Sequence, residues 1–196
     1  MRGDLGAEHA IVHDAAQEVL DFWFALPMEK QFARDAALDQ EIAERFGALR
    51  DTVYRTEAED WRDGPDQLLA AIVLLDQFSR NIYRDSPRAY EADALAVALC
   101  QLAIERGWEA RYAPEERAFL YMPLIHAEDI ALQRLSVAKF SELGGDNLSY
   151  AIGHLEIVAR FGRFPTRNAV LGRQTTPQER AYLDDADADS FGPPKG

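Results

Sequence analysis

The segment GPDQLLAAIVLLDQFSRNIY, residues 64–83, limits what this chain can fold into more than any other. Its second residue, Pro65, suits the first turn of a helix because the missing N–H would have no partner there. Asp66 follows at the positive end of the helix dipole. The run LLAAIVLL, residues 68–75, is then apolar all round rather than along one stripe. Such a helix must lie in the middle of a domain, with other elements packed on every side of it.

The rest of the sequence supplies helices as partners. DAAQEVLDFWFAL, with Asp14 as N-cap, places Val19, Leu20, Trp23 and Leu26 on one face before Pro27 breaks the pattern. DAALDQEIAERFGALRDTVYR repeats that spacing with Leu38, Ile42, Phe46, Leu49 and Val53. Ser86 and Pro87 start a further helix, which Gly107 stops. In PEERAFLYMPLIHAEDIALQRLSVAKFSELGG, Pro123 removes a backbone donor, which predicts two helices or one kinked helix ended by Gly144 and Gly145. DNLSYAIGHLEIVARFG is capped by Asp146 or Asn147, and Thr176 with Glu179 forms a capping box around Pro177. Strand signals do not recur. The expectation is a single all-α domain over residues 1–183, an antiparallel array of seven or eight helices with residues 1–13 as an irregular lead-in and 184–196 as a loose acidic tail.

Charge narrows the partners. Lys and Arg number 21 against 34 Asp and Glu, a formal net charge of -13, so the averaged surface repels nucleic acid and anionic membranes. No run of about 18 apolar residues is present to cross a bilayer. The N-terminal stretch lacks an apolar signal core, and the chain reads as cytoplasmic, a monomer or weak homodimer. Cys100, the single cysteine, lies in the apolar run ALAVALCQLAI and is expected in the core; it can form neither an internal disulfide nor a cysteine zinc site.

Polar residues embedded in apolar helices mark the places where chemistry can reside. Asp76 and Arg80 stand four apart after AAIVLL, as do Gln77 and Asn81, which predicts two side-by-side pairs in a polar network. His126 and Asp129 lie three apart with Gln133 one turn on, an arrangement in which a carboxylate would orient an imidazole as general base; Glu128 points elsewhere. His154 stands on another helix. The Glu-x-x-His pair of di-iron bundles is missing, so neither a metal nor another cofactor is expected.

RFGRFPTRNAVLGR, residues 160–173, carries four arginines and no acid within this acidic chain. Two readings compete. Arg160, Arg163, Arg167 and Arg173, with Asn168 beside them, either tie the end of the fold to its own carboxylates or face a pocket that receives an anion. Arg160 or Arg163, together with Arg167, is expected to turn inward toward Asp76 and the His126 helix.

LDFWF, LLDQFSRNIY, FLYMPLIHAED, FGRFPTRN and LGRQTTPQE, in this order and at these separations, resemble the bacterial family called domain of unknown function 924. The resemblance implies a tetratricopeptide-like α-α superhelix. It carries no reaction with it. Thr166 stands where the family often has histidine, and Ala127 where it often has serine. Two classes of function therefore stay open. One is a cavity around Asp76, Arg80, Asn81, His126, Glu128, His154 and the arginine loop that binds or turns over a small anionic molecule. The other is a scaffold whose groove holds a peptide or protein partner.

Overall fold

The computed structural model describes residues 4–145 and 147–185. Among these residues it is all helix and turn, without a strand. Nine helices follow one another: α1 (Asp4–Phe24), the short α2 (Met28–Phe32), α3 (Ala36–Arg55), a composite α4, α5 (Asp93–Glu105), α6 (Pro114–His126), α7 (Ile130–Leu143), α8 (Asn147–Phe161) and α9 (Pro177–Leu183). Helix α4 runs as Pro65–Ile72, continues through a π-helical turn over Val73–Phe78, and closes with Ser79–Ile82.

Helix α4 is central, as its all-round apolar run demanded: every side chain of residues 68–76 is fully buried. It packs against α1, α3, α5 and α6, while α6, α7 and α8 extend the array on one side. Phe78 anchors the aromatic heart of the core, with ring centroids 5.0 Å from Phe46 and 5.5 Å from Trp23. Cys100 lies in this core, fully buried. Arg50 was not foreseen there, yet it is fully buried on α3 between the rings of Tyr54 and Tyr83, with bonds to Ser79 and Glu91. No described helix is long and apolar enough to cross a membrane.

Three boundaries differ from the sequence reading. Residues 4–13 belong to α1 rather than to an irregular lead-in, and Asp14 is internal to that helix. The reason is tertiary, since Val12, Ala15 and Ala16 pack on the core and α1 lies along α4. Ser86 and Pro87 start a 3₁₀ turn, Pro87–Tyr90, and the α-helix begins only at Asp93. Pro123 sits inside α6, so the break falls later, over residues 127–129. Gln133 makes that break possible by donating its amide to the carbonyls of Ile125 at 2.6 Å and Ala127 at 2.7 Å, which the helix end leaves free. Gly144 and Gly145, both at positive φ, end α7 as expected, and the Thr176–Glu179 box opens α9. Asp146 as a cap and most of the acidic tail lie outside the described residues.

Candidate functional site

The π-helical turn decides where the polar residues of α4 point. Its hydrogen bonds skip one residue more than those of an α-helix, so residues four apart no longer share a face; such turns are frequent at functional sites. Asp76 and Arg80 therefore diverge. Asp76, fully buried, accepts a hydrogen bond from His126 Nδ1 at 2.7 Å and another from the Gln77 amide. Arg80 reaches Asp93 on α5 at 2.9 Å and the carbonyl of Ala89. Asn81 turns away toward Asp39 on α3, at 2.7 Å, and takes no part in the site.

The Asp76–His126 pair joins the middle of α4 to the last residue of α6. An ionised carboxylate only accepts, so the imidazole carries its proton on Nδ1, and Nε2 is the atom left to exchange protons. Burial opposes the charge on Asp76. Its neighbours His126, Arg80 and Gln77 outweigh that cost and hold the carboxyl below its ordinary range. Asp129, expected to orient His126, does something else: it is the N-cap of α7, accepting from the N–H groups of Ala131 at 2.8 Å and Leu132 at 3.0 Å. Sequence spacing chose the wrong carboxylate because the helix breaks between them.

His126 opens into a cleft of about 520 Å³. The 3₁₀ turn and α5 form one wall with Tyr90, Asp93, Ala94 and Val97. The α6–α7 turn and α7 form another with Ala127, Glu128, Asp129 and Leu132, and the loop after α8 closes it with Arg167, Leu171 and Arg173. Glu128 holds that loop in place, accepting from the Phe164 N–H at 2.9 Å and from Arg173 at 2.8 Å. Burial works against its ionisation, but Arg173, the Phe164 N–H and Arg167 together keep its pKa low.

Arg167 is the inward arginine. Its guanidinium lies between the rings of Tyr90 and Phe164, 4.7 and 4.6 Å from their centroids. It meets Asp93 rather than Asp76, through a single long hydrogen bond of 3.3 Å, the one bond its side chain makes among the described residues. Burial lowers its pKa, and the Arg80 charge adds to that. Asp93, shared between Arg80 and Arg167, has its pKa raised by burial, with the Asp76 charge acting in the same sense against the two arginines.

The remaining candidates stand outside the cleft. Arg160 is exposed, its guanidinium over the ring of Phe161. Arg163 clamps Glu179 on α9 at 2.7 Å and the Gln174 carbonyl at 2.7 Å. Asn168 is buried, with a 3.4 Å bond to Thr175. His154 donates from Nδ1 to the Tyr150 carbonyl at 2.8 Å and packs edge-on against Phe164. Its pKa falls to about 4, chiefly through burial, with His126 and Arg167 adding to it. His154 is thus a neutral support behind the arginine loop. Arg163 and Arg173 tie that loop to the protein's own acids Glu179 and Glu128, while Arg167, paired with Asp93, also lines the cleft.

The sequence reading missed Asp93 and Tyr90. An aromatic and an acid three apart, just ahead of an apolar helix, were the available signal; both had been absorbed into an ordinary helix start. Among the described residues no three His, Cys, Asp or Glu side chains gather in a metal-binding arrangement.

These features define an all-α helical array with an open cleft, floored by a carboxylate-oriented histidine and edged by arginines. The chain belongs to the family of bacterial proteins of unknown function called domain of unknown function 924, whose model matches residues 19–187. It is similar to the solved structure of a protein of unknown function from Agrobacterium tumefaciens, with 41% identity and a TM-score of 0.84 over 88% of this chain and 98% of that one. No curated protein matches the chain.

Proposed function

We propose that the cleft binds a small anionic molecule and that His126, oriented by Asp76, exchanges a proton with it through Nε2. The observation that carries this reading is the pairing of a histidine backed by a buried carboxylate with an arginine beside it that has donors to spare. A protein using these groups for stability alone gains little from burying a carboxylate and then exposing its histidine partner to a cleft. The cleft's volume falls within the roughly 300–1,000 Å³ of small-molecule sites. The protein then acts on, or carries, a small anion.

The experiment is thermal unfolding with and without acetate and inorganic phosphate, on the wild type and on Arg167→Gln, with Arg160→Gln as a control outside the cleft. At least one anion raises the Tm of the wild type and of Arg160→Gln, and Arg167→Gln loses the response. If no anion moves the wild type, or if Arg167→Gln responds as the wild type does, the reading is wrong.

A second reading is favoured by one observation, the lining of the cleft by several separate segments, from Pro87 and Val97 to Leu132 and Leu171. In a tetratricopeptide-like scaffold this groove would hold a peptide segment of a partner protein, with the same arginine on the peptide's carboxylate. Binding of a short peptide acid much tighter than that of any free small anion would select it.

A further inference from the structure

Resting on the anion reading above, we infer that the ligand of this cleft is a monocarboxylate carried on an apolar body. A bare phosphate or another multiply charged anion does not suit it.

The first argument is the balance of charge. The lining holds Glu91, Asp93, Glu128 and Asp129 against Arg167 and Arg173. Most of these acids are already engaged: Glu91 by Arg50 at 2.7 Å, Asp93 by Arg80 and Arg167, Glu128 by Arg173. Behind them Asp76 adds a further negative charge, which a protonated His126 would offset. The site therefore has room for one additional negative charge, at Arg167 and His126. A second would add to a lining that already carries four acids with Asp76 behind them, where like charges repel. A carboxylate also matches the guanidinium fork in shape, and contact with the rings of Tyr90 and Phe164 restrains the Arg167 guanidinium.

The second argument is the rest of the lining. Val97 from α5, Leu132 from α7 and Leu171 from the arginine loop bring aliphatic carbon to the same cleft from three separate segments, with Ala94 and Pro87 beside them. A small inorganic anion would leave this surface wet. An alkyl or aryl body covers it, and each methylene so buried tightens binding about fourfold.

The test is calorimetric titration of the wild-type protein with acetate, butyrate and hexanoate, alongside inorganic phosphate, hexanol and hexylammonium. The His126 ring signals, followed by NMR, locate the binding. The expected result is affinity rising about fourfold per methylene along the carboxylates. Phosphate should bind no better than acetate, hexanol and hexylammonium should bind far more weakly than hexanoate, and the His126 signals should move. Val97→Thr, close to isosteric, flattens the chain-length dependence, and its fold is checked by circular dichroism. A flat series with anion binding retained overturns this inference and leaves the anion site standing. So does phosphate binding more tightly than every carboxylate. Hexylammonium binding as well as hexanoate overturns both readings, as does failure of every anion to bind.

Discussion

Lowering the pH should destabilise this protein through His154, and the size of that effect follows from its surroundings. The side chain projects from α8 against Phe164 in the loop that follows, and in the folded state its pKa falls from 6.5 to about 4. Burial is the main cause, since the charged ring would lose its water, and positive charge on His126 and Arg167 acts the same way. The bond from Nδ1 to the Tyr150 carbonyl works in the opposite direction and does not prevail. The unfolded chain takes up a proton near pH 6.5 while the folded protein refuses it until about pH 4. The contribution is therefore fully present above pH 6.5 and is lost as the pH falls through that window, with a limiting slope of about 1.4 kcal/mol per pH unit. At pH 4.5 the loss amounts to about 2.5 kcal/mol. Acids held below their ordinary range, Asp76 and Glu128 among them, contribute their own loss at lower pH. They are common to wild type and variant. His154→Phe keeps a ring of similar size and removes the titration. Urea unfolding from pH 8 to pH 4.5 should then show the variant gaining on the wild type by about 2.5 kcal/mol. NMR of the imidazole should find His154 neutral at pH 5.5. A gap between the two proteins that stays constant across the range, or a His154 that titrates near pH 6.5, would refute the reasoning.

Two further outcomes follow from the fold. Cys100 is fully buried and its thiol pKa is pushed up by that burial, so Ellman's reagent should label it slowly until denaturant is added; rapid labelling of the native protein would contradict the core around α5. Gln133→Leu removes the amide that satisfies the carbonyls of Ile125 and Ala127, and should lower stability by about 2–3 kcal/mol and the Tm by roughly 4–10 °C. An unchanged melting curve for that variant would show that the α6–α7 break is held by other contacts.

Local rules were enough to read the all-helical class and several helix ends, but not the start of α1, the start of α5 or the break after α6. An all-round apolar run can only be central, and residues 68–75 are; prolines at first turns, the glycines after α7 and the Thr176–Glu179 box act within a few residues, so their meaning needs no fold. The sequence also picked out His126, Glu128, Arg167 and Arg173, because charged residues in apolar or aromatic company are uncommon and call for partners. Which partners they take was decided only in three dimensions. Spacing paired Asp76 with Arg80 and His126 with Asp129, whereas the π-helical turn and the break after His126 pair Asp76 with His126 and Arg80 with Asp93. Spacing offered Arg163 and Arg167 alike, and packing sent one to Glu179 and the other to the cleft. Helical periodicity is a property of neighbours along the chain, but a buried charge is satisfied by whatever distant group the packed helices bring within about 3 Å. That choice is made by tertiary structure alone.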